Sequence, residues 1–299
     1  MGFSWERRSF VAGLVGSLVA GAARAEDTAE DRVRRAEAKL AEIEARERCR
    51  LGVAVVDMGG GPSLLYRENE HFPMCSTFKL LACAKALTLV DAGKETLDRK
   101  VPYGPSDLLD YAPVTKKHVA DGAMTLGDLC AAAIDYSDNT AANLILKGIG
   151  GPAGFTDFVR SLGDPATRLD RNEPTLNTAI PGDLQDTTTP LAMAESVQKV
   201  LFGDVLTKSS REQLISWLVN DKVADARLRA GLPPSWKIGD KTGTGDFGTA
   251  NTVAAIWPPG RAPLVAAVYL TESKRTMDAR NAVHKEIGAL IAETFAARA

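Results

Sequence analysis

The strand-like segments of this chain fall near its two ends, and that placement limits the fold more than any other feature. Residues 51–57 (LGVAVVD), a Gly59-Gly60-Gly61-Pro62 turn and a return segment from Ser63 to Arg67 predict a hairpin. Trp236–Asp240, Thr249–Trp257 and Pro263–Thr271 predict three further strands almost 170 residues later. Helical patterns lie between and around them. Val33, Ala36, Leu40 and Ile43 recur at helical spacing within residues 29–48. Ser76–Val90, a segment capped at Thr125 and running to Asp135, Thr140–Lys147, Pro190–Phe202, Arg211–Leu218 and residues 277–297 are also predicted helices. Residues 163–189 carry few apolar side chains and read as one long irregular loop, a kind of segment that is usually functional. The economical arrangement is α/β of the α+β type: a sheet built from both ends, flanking helices, and an all-helical lobe beside it.

Residues 1–25 are set apart from this pattern. Arg7-Arg8 precedes an apolar run of about 13 residues, shorter than the ~20 a bilayer requires, and Ala23-Arg24-Ala25 ends it as a cleavage signal. This predicts an export leader of twin-arginine type, a periplasmic or secreted protein, and no membrane anchor after cleavage. An oxidising compartment permits disulfides. Of the four cysteines, Cys83 and Cys130 both fall in predicted helices and are expected to form a bridge; Cys75 reads as a small buried residue, and Cys49 has no assigned role. With 36 Lys+Arg against 38 Asp+Glu, the chain lacks the basic excess that nucleic acid binding needs. His71, His118 and His284 are too scattered for a zinc hydrolase site, and no metal or cofactor is implied.

Three short motifs carry the chemistry. Ser76-Thr77-Phe78-Lys79 puts a hydroxyl and an amine three apart at a helix start, so both share one face. A neutral amine there can accept the serine proton. The spacing alone means little, because Ser196-Val197-Gln198-Lys199 repeats it inside an ordinary amphipathic helix. Ser137-Asp138-Asn139 follows in a loop between helices, and Lys241-Thr242-Gly243 at the end of a predicted strand. S-x-x-K, S-D-N and K-T-G in this order belong to class A β-lactamases and penicillin-binding proteins.

The chain resembles a class A serine β-lactamase on these motifs and on Arg171-Asn172-Glu173-Pro174-Thr175-Leu176-Asn177, which matches the R-x-E-x-x-L-N motif of that family's omega loop. Tyr111, Asp186-Thr187-Thr188-Thr189-Pro190 and Trp257-Pro258 extend the match over essentially the whole chain after the leader. Penicillin-binding transpeptidases, the alternative reading, lack the glutamate and stay acylated. The resemblance implies the serine β-lactamase fold, with an α/β lobe from residues 26–70 and 219–299, a helical lobe from 71–218, and the omega loop at about 168–186.

It also implies roles. Ser76 is the nucleophile that opens the lactam. Lys79 and Glu173 are the candidate acylation bases. The N–H groups of Ser76 and Thr244 form the oxyanion hole. Ser137 passes a proton to the lactam nitrogen, with Lys241 beside it. Tyr111, Asn139, Thr242, Gly243 and Thr244 line the substrate cleft. Glu173 and Asn177 hold the deacylating water. Asp138 is structural, and Arg171 pairs with Asp186 across the neck of the loop. Many family members carry an arginine where this chain has Ala250; Arg227 is expected to supply the guanidinium for the substrate carboxylate instead. The expected substrates are penicillins and cephalosporins, and the expected state is a monomer.

Overall fold

The computed structural model describes Met1 and residues 27–296; the leader expected at residues 1–25 otherwise lies outside the described residues. The chain enters through α1 (Ala29–Glu47), whose start is fixed by Thr28: its hydroxyl accepts from Asp31 N while Asp31 reaches back to the Thr28 N–H. Then follow β1 (Arg50–Asp57), β2 (Leu64–Tyr66) and β3 (Phe72–Pro73). A 3₁₀ turn at Cys75–Thr77 leads into α2 (Phe78–Asp91). The middle of the chain contributes β4 (Lys100–Pro102), α3 (Thr115–His118), β5 (Ala123–Thr125), α4 (Leu126–Asp135), α5 (Asn139–Gly148) and α6 (Gly151–Ser161). After the long loop come β6 (Thr187–Thr188), α7 (Pro190–Phe202), α8 (Lys208–Val219) and the short α9 (Leu228–Gly231). The chain closes with β7 (Lys237–Gly245), β8 (Thr249–Trp257), β9 (Leu264–Thr271) and α10 (Met277–Phe295).

Five strands form one antiparallel sheet in the order β2-β1-β9-β8-β7, so the two ends of the chain meet at the β1–β9 pair. The sheet is covered on both faces. Val253, Ala255, Val265, Ala267 and Tyr269 face the helical lobe, where they join Phe72, Phe78, Leu81, Leu129, Ile145 and Val197. Their strand neighbours Ala254, Ile256, Leu264, Ala266 and Val268 face Leu40, Ile43, Ile287 and Ile291 of α1 and α10. Burial on both faces is why these strands appear in the sequence as unbroken apolar runs rather than alternating ones.

Three expectations need revision. Cys83 and Cys130 do not form a disulfide: all four cysteines are free, and the Cys83 thiol points at the Cys130 carbonyl oxygen, 3.9 Å away. A bridge needs sulfurs about 2.05 Å apart, and a thiol aimed at a main-chain acceptor across the α2–α4 contact does not meet that geometry. Second, β7 does not stop at Asp240; its pairing with β8 continues to Gly245 opposite Thr249, so Lys241-Thr242-Gly243 lies within a strand. Third, α6 has no counterpart in the sequence reading. Its start is Gly150-Gly151-Pro152-Ala153-Gly154, with Gly150 and Gly151 both at positive φ, and such a glycine-rich entry hides the helix that follows. Among the described residues no helix is long and apolar enough to cross a membrane.

Candidate active site

The three motifs come from different layers and meet at one cleft. Ser76 sits in the 3₁₀ turn ahead of α2, and Lys79 lies one turn on, its side chain wholly buried. Ser137 and Asp138 form the α4–α5 connection, and Asn139 begins α5. Lys241, Thr242, Gly243 and Thr244 come from edge strand β7. The cleft, about 340 Å³, is lined by Ser76, Tyr111, Ser137, Asn139, Asn177, Val223, Arg227 and residues 242–244. A larger cleft of about 570 Å³ between α1 and α10 contains no such grouping of nucleophile and base.

Glu173 is the hub. Its Oε1 accepts from Ser76 Oγ at 3.3 Å and from Lys79 Nζ at 3.0 Å, while Oε2 accepts from Asn177 Nδ2 at 2.5 Å. Lys79 Nζ also donates to Ser137 O and Asn139 Oδ1, each at 2.7 Å. Burial pushes the Lys79 amine below the ordinary lysine range, and Glu173 opposes that shift. On the other side of Ser137, Lys241 Nζ donates to Ser137 Oγ at 3.1 Å. Burial lowers Lys241 to about 8, with Asp221 opposing the shift. The site therefore holds one hydroxyl, that of Ser137, flanked by two desolvated amines, and another, that of Ser76, in direct contact with a buried carboxylate.

Backbone geometry at these positions is unusual. Cys75, Ser137 and Asp186 have φ of 46°, 59° and 58°. Non-glycine residues in this region cost free energy and persist where the surroundings over-determine them. Asp138 does this for Ser137: fully buried, it accepts from Val114 N, Thr115 N and Ala141 N at 2.9–3.0 Å and from the Thr115 hydroxyl. Asp186 does it for the neck of the long loop, accepting from Asp170 N, Arg171 N and the Arg171 guanidinium. Glycine has a different use on β7. A Cβ at Gly243 would sit 2.8 Å from Met74 O, and one at Gly245 2.6 Å from Cys75 Sγ, so the strand packs on the Cys75–Thr77 turn only without side chains there.

Arg227 reaches the cleft wall but is almost fully buried. Its Nη1 donates to Gly243 O (2.8 Å) and Asn251 O (2.6 Å), Nη2 to Thr244 Oγ1 (2.7 Å), and Nε to Asn281 Oδ1 (3.1 Å). Burial, followed by the nearby Arg280, lowers it to about 10. Tyr111 is about half exposed at the rim, its carbonyl accepting from Asn139 N. The second S-x-x-K is no nucleophile: Ser196 Oγ donates to Asp164, and Lys199 Nζ to Leu162 O.

Several residues of the site escaped sequence reasoning. Asn143 clamps the Glu173 backbone from both sides, Nδ2 donating to Glu173 O and Oδ1 accepting from Glu173 N, each at 2.9 Å. It stands four residues after Asn139, on the same helix face, so its spacing was a usable signal. Asp221, Val223 and Asn251 carried none. Asn177 Oδ1 is buried and makes no hydrogen bond among the described residues. Among those residues no group of three or more His, Cys, Asp or Glu is placed to hold a metal.

A family model described as the Beta-lactamase enzyme family matches residues 35–295. Beta-lactamase CTX-M-8 of Citrobacter amalonaticus is 49% identical over 245 residues, 82% of this chain and 84% of that protein. Beta-lactamase OXY-2 of Klebsiella oxytoca is 46% identical over 290 residues, 97% of each. A solved structure described as an ancestral (GNCA) class A β-lactamase has a TM-score of 0.86 and 58% identity, covering 87% of this chain and 100% of that one.

Proposed function

The chain belongs to the β-lactamase enzyme family, class A, and hydrolyses the β-lactam ring; from that premise we propose how its own residues divide the work. Ser76 Oγ attacks the lactam carbonyl and becomes the ester oxygen of an acyl-enzyme. Glu173 takes the serine proton, directly or across a water. The observation that carries this assignment is the 3.3 Å hydrogen bond from Ser76 Oγ to Glu173 Oε1, which no lysine–serine contact rivals at this atom. Lys79, 3.0 Å from Glu173 Oε1, is the reserve base, because its amine is already depressed by burial.

The developing oxyanion sits between the N–H groups of Ser76 and Thr244. Ser137, touched by both lysines, gives its hydroxyl proton to the lactam nitrogen as the C–N bond breaks and is reprotonated from Glu173 through Lys79, which returns Glu173 to the carboxylate. Lys241, Thr242 and Thr244 meet the substrate carboxylate, and Arg227 adds its charge from behind the Thr244 hydroxyl. Asn139 and Tyr111 face the substrate side chain. In the second half-reaction Glu173 activates a water whose other anchor is the unpartnered Asn177 Oδ1, and the ester is cleaved to release Ser76.

The fully buried Glu173 beside Ser76 favours a hydrolase over a transpeptidase that stays acylated. We further read residues 26–70 with 219–299, and residues 71–218, as two lobes of one monomeric catalytic unit that acts on penicillins and cephalosporins. The leader pattern at residues 1–25 supports export to the periplasm by the twin-arginine route. The test uses purified protein and a chromogenic cephalosporin. Multiple turnovers with a transient mass adduct on the Ser76 peptide support the scheme; a stoichiometric burst, or an adduct elsewhere, overturns it.

A further inference from the structure

The two proposed oxyanion donors come from separate parts of the chain, and their register has to be set by something. The Ser76 N–H belongs to the turn before α2, and the Thr244 N–H to β7. The turn is held in a costly shape, with Cys75 at φ 46° between helical Met74 and Ser76. One buried side chain spans the gap. Asn251, in the middle of β8, is fully buried and is the register partner of Gly243. Its Nδ2 donates to Pro73 O at 2.8 Å and Met74 O at 3.1 Å, and its Oδ1 accepts from Leu270 N at 3.3 Å. Its own carbonyl accepts from Arg227 Nη1, which also bonds Gly243 O.

This is a demanding use of a residue. Asparagine is disfavoured in strands, and a buried amide is costly unless its hydrogen bonds are made. Here every one of them ends on main chain from a different segment: β9, and the two residues before Cys75. The missing Cβ of Gly243, directly opposite, leaves the space in which Met74 O approaches the sheet. Met74 O also accepts from the Thr77 hydroxyl at 2.8 Å, so that carbonyl is held by two side chains, Thr77 and Asn251. The orientation of the Met74 and Cys75 peptides decides where the Ser76 N–H points.

We propose that Asn251 is a positioning residue for β-lactam turnover: its amide clamps the Pro73 and Met74 carbonyls so that the Ser76 N–H and the Thr244 N–H converge on one oxyanion position. The inference rests on the reading of Ser76 as nucleophile. It is distinct from a plain stability role, since it predicts a change in how the acyl carbonyl is held.

The experiment uses Asn251→Leu, which removes donor and acceptor, and Asn251→Asp, which keeps the size and the acceptor but sets an oxygen against two carbonyls. Both are made in the full chain, with and without Glu173→Gln to accumulate acyl-enzyme. Three quantities are read on folded protein: the acylation rate constant, the infrared stretch of the acyl carbonyl, and affinity for a boronic acid that forms a tetrahedral adduct. Outright loss of an oxyanion donor costs about 10²–10³ in rate, so a displaced donor is expected to slow acylation by about 10- to 100-fold. The carbonyl band should move to higher wavenumber and broaden, and boronate affinity should fall in parallel. For Asn251→Leu the pH profile should not move, since that change neither adds nor removes a titrating group. Peptide mass analysis of the wild type separates the two layers: an adduct away from Ser76 removes the reading beneath the inference. An adduct on Ser76 with unchanged carbonyl band and acylation rate in the variants refutes the positioning role, whatever happens to the melting temperature. If Asn251→Leu does not fold, Asn251→Asp and Asn251→Gln carry the same three readouts.

Discussion

Replacing Glu173 by Gln is the most informative single perturbation of this site. The carboxylate has no exposure and takes hydrogen bonds from Ser76, Lys79 and Asn177. Gln keeps the shape but cannot accept a proton. It also presents an N–H₂ where Glu173 offered an oxygen, either to Lys79 or to Asn177. The Asn177 amide can resolve the second case by turning over, because its Oδ1 has no partner to lose; the cost is its 3.1 Å bond to Pro174 O. Losing one ordinary hydrogen bond is worth about 1 kcal/mol, which in a domain of this size lowers the melting temperature by roughly 2–4 °C. Truncating one partner of a buried ion pair would cost about 3–5 kcal/mol if the other charge were stranded. Lys79 avoids this. Burial already depresses its amine, Glu173 is the main group opposing that shift, and without Glu173 the amine is free to shed its proton.

A neutral Lys79 can then take the Ser76 proton, so acylation survives at a reduced rate. Deacylation loses the carboxylate proposed as its base. General-base catalysis is worth about 10²–10⁴-fold, or about 3–6 kcal/mol of barrier. Acyl-enzyme should therefore accumulate: a burst of one equivalent with a chromogenic cephalosporin, followed by turnover at least 100-fold slower, and a stable mass adduct on the Ser76 peptide. Steady-state turnover near the wild-type rate, or slow turnover without any burst, would refute the division of labour between Glu173 and Lys79.

Other consequences follow from the same geometry. Lys241 has a folded value of about 8, below the ordinary lysine value of 10.5, so its charge costs stability below about pH 8, and stability rises between about pH 8 and 10.5 as the unfolded chain holds the extra proton. Over the same rise the substrate carboxylate loses its cation: kcat/KM for a penicillin should fall above about pH 8, and Lys241→Arg should move that alkaline limb up by at least one pH unit. Arg227→Ala removes a charge-assisted bond to Thr244 Oγ1, and at about 1.5–3 kcal/mol for such a bond KM for penicillins should rise about 10- to 100-fold with a smaller change in kcat; unchanged kinetics would pass the role to Arg275 or Arg280. Asp138→Ala leaves three N–H groups without their acceptor, those of Thr115 and Ala141 buried and that of Val114 part-buried. With about 1–3 kcal/mol for each buried unsatisfied donor and roughly 2–4 °C per kcal/mol, calorimetry should show a melting temperature lower by at least about 4 °C, and Asp138→Asn a smaller loss.

Legibility in the sequence followed the range of the interaction. Helices α1, α4 and α7 could be placed from Val33, Ala36, Leu40 and Ile43, from the Thr125 cap, and from Pro190, because periodicity and capping are set by residues within a turn or two of one another. Strands β8 and β9 could be placed because burial on both faces leaves an unbroken apolar run. Where local signals were mixed, placement failed. The glycines ahead of α6 masked a helix, and the end of β7 was invisible because a strand ends where its partner does, here Thr249.

By itself, the sequence determined which chemical groups this protein owns and the order in which it carries them: Ser76 with Lys79, Ser137-Asp138-Asn139, Glu173 with Asn177, and Lys241-Thr242-Gly243. Those motifs were readable because each is a short run whose members act together. Only the tertiary structure decided what the groups do to one another. It brought Glu173 within 3.3 Å of a serine 97 positions away, turned the Cys83 thiol to a carbonyl instead of to Cys130, and spent the Arg227 guanidinium on Gly243, Asn251 and Thr244. It also gave Asn251 a place beneath the nucleophile turn. Protonation and hydrogen bonding depend on distances of an ångström and on exclusion of water, and both arise only when distant segments pack against one another.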